Sequence, residues 1–550
     1  MKRWIYAIAL GGMIAGVAPV QANHWLYNAP GTNWFDGANW ELGVPPTLTS
    51  AGSRIPAFGA IEGHTYEVHI GEPGGAEAFA IDHSLYSQVE SVNLRIHSDL
   101  TLSGGMTVRY PGQVILTNGG HLAMGETLAV LGDLYIGSGS SLTANVLRVT
   151  RLGTDLVPRV VVDGGSLYVH GQGDQLNRFY NNYISLGQNH STNAYRGEMI
   201  IHSGDVSLPA LGMARYSLEY STHARLVVNG GTLTIRGEAD GLVGGASETS
   251  VVEIDINDGF VDIQNKRGMS LSGNTSRINQ RGGFVRTGFL WIGGRGLYEM
   301  SGGELLVYAG EGSLTSTSSV FRIVGPDPVV TMNTFTYDAV GAVQYVMTRA
   351  PGHIAPIKMN WEVRRLNTLP VAIKGGVLLA ATNRFVLMNY TYGSRDDAFP
   401  ANTDVWNTDW AAKNDTELAI TFTSPLATLT TSGVQSVSFP DRSGGVVAID
   451  GVNPSTHPDG LAIMVDIEPR NGSTLETLLD GIHEAGYTNS TLTGAGAYSM
   501  AVKIPPEDLA GDQSYFAWDF FTLFTNAPAA VVRSVRIGDD ADPSSLYVIE

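Results

Sequence analysis

A short phrase recurs along the middle of the chain and constrains the fold more than any other feature. Each copy has a small or polar residue, two glycines or a close substitute, and then an alternating aliphatic strand. The copies begin at Asn118, Asp163, His202, Asn229, Asn257, Arg281 and Ser301. Measured at the second glycine, their spacing falls from 45 to 20 residues. A repeat this short cannot bury its apolar face alone, so the copies are predicted to stack as a solenoid.

The residues of one copy predict a sharp corner followed by a strand. Asn-Gly and Asp-Gly pairs tolerate the positive φ angles that such a corner needs. After the corner, alternation places Leu233 and Ile235 on one face, with Thr232 and Thr234 on the other. Upstream lie a second alternating run and then a third phrase that ends in glycine. The third phrase occurs as Leu134-Tyr-Ile-Gly137, Ile184-Ser-Leu-Gly187 and Leu290-Trp-Ile-Gly293.

Three strands and three corners per repeat predict an all-β fold with a right-handed parallel β-helix, also called a β-solenoid. An antiparallel sandwich of hairpins is the alternative, because Asn-Gly is also a strong hairpin signal. Stacked ladders explain why the same residue types recur at the same place in each repeat. Glycine, at 67 of 550 residues, and charged residues, at 15%, fit a chain of many turns and uncharged polar faces.

The chain divides into four predicted parts. Residues 1–22 form a signal peptide, with the basic start Met1-Lys-Arg3, an apolar stretch and the cleavage site Val20-Gln-Ala22. The other parts are an N-terminal cap rich in Trp and Asn at 23–75, the β-solenoid at 76–435, and a small β-sandwich-like domain at 436–550. The signal peptide predicts a protein that a bacterium, of the Gram-negative type, secretes or holds at its cell surface. No later stretch is predicted to span a membrane.

The C-terminal part differs in character from the repeats. Ser473-Thr-Leu-Glu476 is a capping box, and apolar residues at helical spacing follow it as far as Gly486. The sequence therefore predicts one helix packed in this domain.

Charge and cysteine content exclude several functions. The formal net charge is −19, which argues against a nucleic-acid partner because such a surface is normally basic. The chain has no cysteine, so it has neither a disulfide framework nor a thiol nucleophile.

The chain resembles a family of exported bacterial proteins. The residues that carry the resemblance are the segment Asn33-Trp34 to Asn39-Trp40 leading to Gly43-Val-Pro45, the recurring Ile-Gly and Gly-Gly-x-Leu phrases, and Phe385-Val-Leu-Met-Asn-Tyr390. These are similar to large proteins with autotransporter-type β-strand repeats, often of the PEP-CTERM group. The resemblance implies a β-helix and a surface or matrix function. The end of the chain, Ser545-Leu-Tyr-Val-Ile-Glu550, departs from that group because it has no Pro-Glu-Pro sorting motif.

Candidate catalytic and metal sites are sparse. The densest carboxylate cluster, Asp396, Asp397, Asp404 and Asp409, is predicted to be a solvated loop, and no catalytic residue is assigned. No metal site is assigned either. The clusters considered were a zinc site of His64, His69, His83 and His97, and a structural Ca²⁺ site of Asp539, Asp540 and Asp542.

The tryptophans of the N-terminal part are the remaining candidates. Trp25, Trp34 and Trp40 either plug the end of the solenoid, where strand edges would otherwise be open, or form a platform for a sugar. The sequence favours a non-enzymatic structural or adhesive protein whose partners are extracellular glycan, matrix or copies of itself. A protein that binds or degrades polysaccharide is the alternative.

Overall fold

A computed structural model describes part of the chain, and most of what it describes is β-strand. The described residues are 23–26, 28–47, 53–55, 65–77, 79–81, 91–152, 157–171, 184–186, 195–214, 222–236, 241–245, 250–264, 268–272, 275–314, 319–337, 342–346, 354–360, 363–364, 371–374, 384–390, 403–404, 408–413, 417–422, 427–430, 435–438, 446–450, 461–469, 491–493, 498–504, 515–519 and 530–539. Within these ranges a single 3-10 turn, Gly37–Asn39, is helical.

The chain separates into two compact units. Unit 1 comprises Met1–Arg151, Asp155–Ile184 and Gly204–Val206. Unit 2 comprises Leu152–Thr154, Ser185–Ser203 and Ser207–Glu550.

In unit 1 the strands form three parallel ladders, and each coil of the chain adds one rung to each ladder. The first ladder contains Thr65–Ile70, Ser91–Ile96, the second halves of Met106–Leu116 and Thr127–Gly137, and the first half of Arg159–Val169. The second contains Gly74–Ala76, Asp99–Leu102, His121–Met124, Ser141–Ala144 and the second half of Arg159–Val169. The third contains Ser53–Ile55, Phe79–Ile81, the first halves of Met106–Leu116 and Thr127–Gly137, and Val146–Val149.

The register of these ladders puts like residues above one another in the interior. In the second ladder Leu100, Leu122, Leu142 and Leu167 align, and each is fully or almost fully buried. Neighbouring strands lie about 4.8 Å apart, so the stacked side chains are in contact. Burial of each such side chain contributes about 1.5–3 kcal/mol, which explains why a repeat that is short by itself becomes stable in the stack.

Unit 2 repeats the same pairing over more coils. Its first ladder contains the start of Tyr195–Leu208, then His223–Val228, Val251–Ile256, Thr275–Gln280, Leu297–Met300, Val320–Val324, Ala342–Val346, Val371–Lys374 and Thr403–Asp404. Its second contains Thr232–Ile235, Phe260–Ile263, Phe284–Thr287, the starts of Glu304–Leu314 and Val329–Tyr337, Ile357–Met359 and the end of Arg384–Tyr390. Its third contains the end of Ile184–Leu186, then Leu211–Met213, Leu242–Gly244, Met269–Leu271, Leu290–Ile292, the ends of Glu304–Leu314 and Val329–Tyr337, and Val363–Arg364.

Towards the end of unit 2 the pairing becomes largely antiparallel. Arg384–Tyr390 and Thr408–Lys413 both pair antiparallel with Glu417–Phe422. The remaining strands form one sheet of Ala427–Thr430, Val446–Asp450 and Tyr515–Asp519, and a second of Gln435–Ser438, Ala530–Asp539, Leu461–Pro469, Tyr498–Ile504 and Thr491–Thr493. The predicted helix at 473–486 lies outside the described residues.

The prediction of an all-β fold with stacked, parallel strands is confirmed, and the antiparallel hairpin alternative is wrong for the repeats. In the copy that begins at Asn229, the corner is turned at its second glycine, Gly231, which has a φ of 71°. Two details of the repeat are corrected. The spacing of 45 residues between Gly120 and Gly165 holds two coils, because Leu142 pairs with Leu122 on one side and Leu167 on the other.

The third phrase of the predicted repeat does not occupy one place. Leu290–Ile292 lies in the third ladder, where it pairs with Met269–Leu271. Leu134-Tyr-Ile-Gly137 lies instead in the first ladder, paired with Arg159–Val169. The strand Thr127–Gly137 serves two ladders, because its start pairs with Val146–Val149 and its end pairs with Arg159–Val169. The similar residues at 134–137 therefore lie in a different ladder from those at 290–293.

Candidate functional site

The three predicted tryptophans form one buried cluster. Trp25 and Trp40 meet edge to face with ring centroids 5.1 Å apart, and Trp34 meets Trp40 in the same way at 4.8 Å. All three side chains are at most 2% exposed. The indole of Trp40 donates a hydrogen bond of 2.7 Å to the carbonyl of Trp34. The rings therefore turn their faces and edges to one another.

Local hydrogen bonds set the positions of these rings. Asp36 caps the 3-10 turn by accepting from the Ala38 backbone at 2.9 Å, which leads the chain into Trp40. The buried side chain of Asn39 accepts from the Gly31 backbone and donates to the Asn33 carbonyl, both at 2.9 Å. The Trp- and Asn-rich composition of this segment is thus explained by its own fold.

The cluster lies on the edge of the first coil. The backbone of Trp34 donates to the carbonyl of His69 at 2.9 Å, and His69 donates to Thr32 at 2.7 Å. These bonds satisfy part of the open edge of the strand Thr65–Ile70, and the Trp34 ring packs on Phe79 at 5.1 Å. Burial of the rings favours the end-cap interpretation. Ligand binding by Trp25, Trp34 and Trp40 stays a prediction.

The predicted histidine cluster is brought together in part. The rings of His69 and His97 lie 5.8 Å apart. His97 Nδ1 lies 3.1 Å from Thr117 Oγ1, and His69 Nε2 lies 3.8 Å from Glu67. His64 and His83 lie outside the described residues. Over the ranges that the structure describes, no three His, Asp or Glu side chains are grouped to hold a metal ion.

The predicted carboxylate cluster falls partly on strands. Asp404 ends the strand Thr403–Asp404 and pairs with Ala372, whereas Asp409 pairs antiparallel with Thr421. The prediction that they share one loop is therefore wrong for these two residues, because sheet pairing extends through them. Asp396 and Asp397 lie outside the described residues. Of the three aspartates weighed for Ca²⁺, Asp539 ends the strand Ala530–Asp539, and Asp540 and Asp542 are outside the described residues.

A row of charged side chains on the outer face of the first ladder in unit 2 was not predicted. Arg225 lies between Glu198 and Asp255, with a hydrogen bond of 3.1 Å to each. Asn279 and Arg281 also donate to Asp255, at 3.0 and 3.3 Å. Arg225 stands in register with Glu198 and Glu253, and these opposite charges at matched positions of successive repeats were the signal in the sequence. They link one coil to the next.

The outer face of the second ladder in unit 2 carries a second ionic link. Arg286 binds Asp262 with two hydrogen bonds, of 2.7 and 2.9 Å, in a bidentate pair. The Asp262 side chain is 5% exposed, and Gln264 donates to it at 2.8 Å. The hydrogen bond to Asp262 is the main cause that raises the pKa of Arg286. This pair is a coil-to-coil clamp.

The outer face of the second ladder in unit 1 carries mostly uncharged polar side chains instead of ion pairs. It consists of two rows of four side chains, here called the hydroxyl face. The rows are Asp99, His121, Ser141 and Ser166, and Thr101, Ala123, Thr143 and Tyr168. His121 Nδ1 lies 2.7 Å from Ser141 Oγ. The phrase Gly139-Ser-Ser-Leu-Thr-Ala144, with serine where other copies have a second glycine, was the missed signal.

One polar pair lies inside the coils of unit 2. The Tyr298 hydroxyl donates to Gln280 Oε1 at 2.7 Å, and Gln280 Nε2 donates to the Glu304 carbonyl at 2.9 Å. Both side chains are fully buried, and burial raises the pKa of Tyr298. A buried polar group of this kind is stable because its hydrogen bonds are made within the protein.

Comparison with protein-family models, curated proteins and solved structures gives no significant match. No helix within the described ranges is both long and apolar enough to cross a bilayer.

Proposed function

We propose that this chain is an exported bacterial protein that serves as a structural or adhesive scaffold at the cell surface or in the surrounding matrix, without catalysis. In this proposal residues 1–22 are removed on export from a Gram-negative cell. The stacked coils wind as a right-handed β-helix, and residues 436–550 fold as a β-sandwich-like domain. The partners are extracellular glycans, matrix components or further copies of the chain.

The observation that carries the proposal is the use of outer side chains to join one coil to the next. Arg225 links Glu198 to Asp255, and the half-exposed Arg286 binds the buried carboxylate of Asp262. Side chains held in this way stiffen a stack of coils, which is what a scaffold requires.

The test combines location with activity. N-terminal sequencing of the protein from the native culture should give Asn23 as the first residue, and labelling for electron microscopy should place it outside the cell. The full mature chain should release no sugar from a panel of acidic and neutral polysaccharides, with or without Ca²⁺. A cytoplasmic protein that retains Met1 would contradict export. Turnover that is lost in Asp404→Asn would instead support the enzyme.

A further inference from the structure

The hydroxyl face has the chemistry of a surface for a neutral polymer rich in hydroxyl groups. We propose that it binds a neutral polysaccharide chain, with Tyr168 packed against a sugar ring. The inference rests on the proposed extracellular function and gives that function a binding surface.

Charge is the first argument for a neutral partner. The whole chain carries a formal net charge of −19, yet the hydroxyl face has a single carboxylate, Asp99, among its eight side chains. An acidic polymer would be repelled by the net charge of the protein and would find no cationic pair on this face. The same ladder in unit 2 presents the Asp262 and Arg286 ion pair instead. A neutral polymer meets neither obstacle on the hydroxyl face.

Regular spacing is the second argument. Neighbouring strands lie about 4.8 Å apart, and alternate residues along a strand lie about 6.6 Å apart. Hydroxyl and imidazole groups therefore form a fixed grid across Asp99–Leu102, His121–Met124, Ser141–Ala144 and the end of Arg159–Val169. The contact of His121 with Ser141 holds one part of that grid in place. A repeating ligand with many hydroxyl groups can bond to such a grid without much loss of side-chain entropy.

Tyr168 is the third argument. Its side chain is 39% exposed, although most large apolar side chains of the coils are buried. The ring of His170 contacts it edge to face at 4.7 Å, which limits its rotation. A restrained tyrosine offers apolar area and a hydroxyl together at low entropic cost, which suits the mixed surface of a sugar.

The experiment measures co-sedimentation of the full mature chain with insoluble polysaccharides. Cellulose and chitin are the neutral probes, and cross-linked alginate and polygalacturonate are the acidic ones. We expect binding to at least one neutral probe and to neither acidic probe. Tyr168→Ala should weaken binding about tenfold or more, the loss of about 1.4 kcal/mol. Thr143→Glu, which places a charge in the middle of the face, should weaken it to a similar degree.

Two matched variants in unit 2 serve as controls. Tyr308→Ala removes a tyrosine from the strand Glu304–Leu314, and Thr331→Glu adds a carboxylate on Val329–Tyr337 beside Lys358. Both should bind as the wild type does. Circular dichroism before each assay should show that all four variants are folded.

Several results would overturn the inference. These are retention by no neutral probe, equal retention by acidic probes, or equal losses in the control variants. If sedimentation velocity showed a dimer, and Thr143→Glu dissociated it, the face would be assigned to self-association instead. None of these results alters where the protein is located or whether it turns over polysaccharide, so the proposed scaffold function can stand when the binding surface fails.

Discussion

Two corners with the same sequence phrase use their glycines differently. In unit 1, Asn118 and Gly119 are both left-handed, with φ of 55° and 81°, and a Cβ on Gly119 would meet nothing within 4 Å. In unit 2, Gly282 is not left-handed, and Gly283 has a φ of 65°. A Cβ on Gly283 would lie 2.6 Å from the carbonyl oxygen of Gly259 in the previous coil.

The difference shows that two separate structural requirements can each select glycine at a corner. One need is a positive φ, which turns the chain. The other is the absence of a side chain where one coil lies against the next. At the unit 1 corner these needs fall on different residues, since a Cβ on Gly120 would overlap the carbonyl of Ile96. At the unit 2 corner Gly283 meets both, so the corners should respond differently to the same substitution.

The largest expected effect is a difference in stability loss when the glycine at each of the two corners is replaced by alanine. Gly119→Ala should cost about 1–2 kcal/mol, the strain of a left-handed alanine. Gly283→Ala adds a backbone clash of the overpacking kind, so about 2–5 kcal/mol is expected. Hydrogen exchange, read by mass spectrometry, measures the opening free energy of the strands His121–Met124 and Phe284–Thr287, which follow the two corners. Equal losses at the two corners would contradict the comparison.

Unit 2 buries the Tyr298 and Gln280 pair among its apolar side chains. Tyr298→Phe leaves Gln280 Oε1 without its donor, which should cost about 1–3 kcal/mol. Burial raises the pKa of Tyr298, so its contribution to stability is complete below the unfolded value of about 10 and is lost as the pH rises above it. Thermal unfolding between pH 8 and pH 11 should therefore be less pH-dependent in Tyr298→Phe.

The double variant Tyr298→Phe with Gln280→Met is the control. Gln280 lies between Ile256 and Met300 in its row, so methionine fits the site. Replacement of both polar partners should recover most of the loss. A double variant less stable than Tyr298→Phe would show that the hydrogen bond to Glu304 matters more than the pair itself.

The charged row on the outer face of unit 2 predicts a smaller, pH-dependent effect. Burial alone would raise the pKa of Asp255, but hydrogen bonds from Asn279 and Arg225 and the charges of Arg225 and Arg281 outweigh it and lower the pKa. A lowered pKa stabilises the fold above the unfolded value of about 3.9, and this stabilisation is lost as the pH falls below it. The wild-type melting temperature should fall more steeply between pH 5 and pH 3 than that of Asp255→Asn.

Arg225→Gln tests the same row from the other side. It removes one donor and one charge from Asp255, so it should also flatten the acid dependence. If the melting temperature of both variants depended on pH between 5 and 3 as that of the wild type does, the charged row would not contribute to stability.

The smallest expected effect concerns an outer position next to a corner. Thr232→Val follows Gly231 and changes an outward side chain that aligns with Phe260, so its effect should stay within about 0.5 kcal/mol. Gly231→Val forces a branched residue to a φ of 71° and should cost well over 1 kcal/mol. Similar midpoints of urea unfolding for the two variants would count against the corner model.

The sequence by itself determined the local features of the fold. Glycine at a corner follows from its freedom at positive φ, as Gly231 confirms. Alternation of Leu233 and Ile235 with threonines follows from the two-residue period of a strand, and it identified the buried face. These features depend on residues close together in the chain, so their physics can be read from one repeat.

The tertiary structure alone decided which distant residues meet. Tyr298 and Gln280 are 18 residues apart, and Arg286 and Asp262 are 24 apart, so only the coil length sets their contact. The coil at Ser141–Ala144 was missed because Ser140 stands where other copies have a second glycine, while Gly139 supplies the positive φ. A corner needs one left-handed residue, but the coil beneath it determines which neighbour can carry a side chain, and no single repeat contains that information.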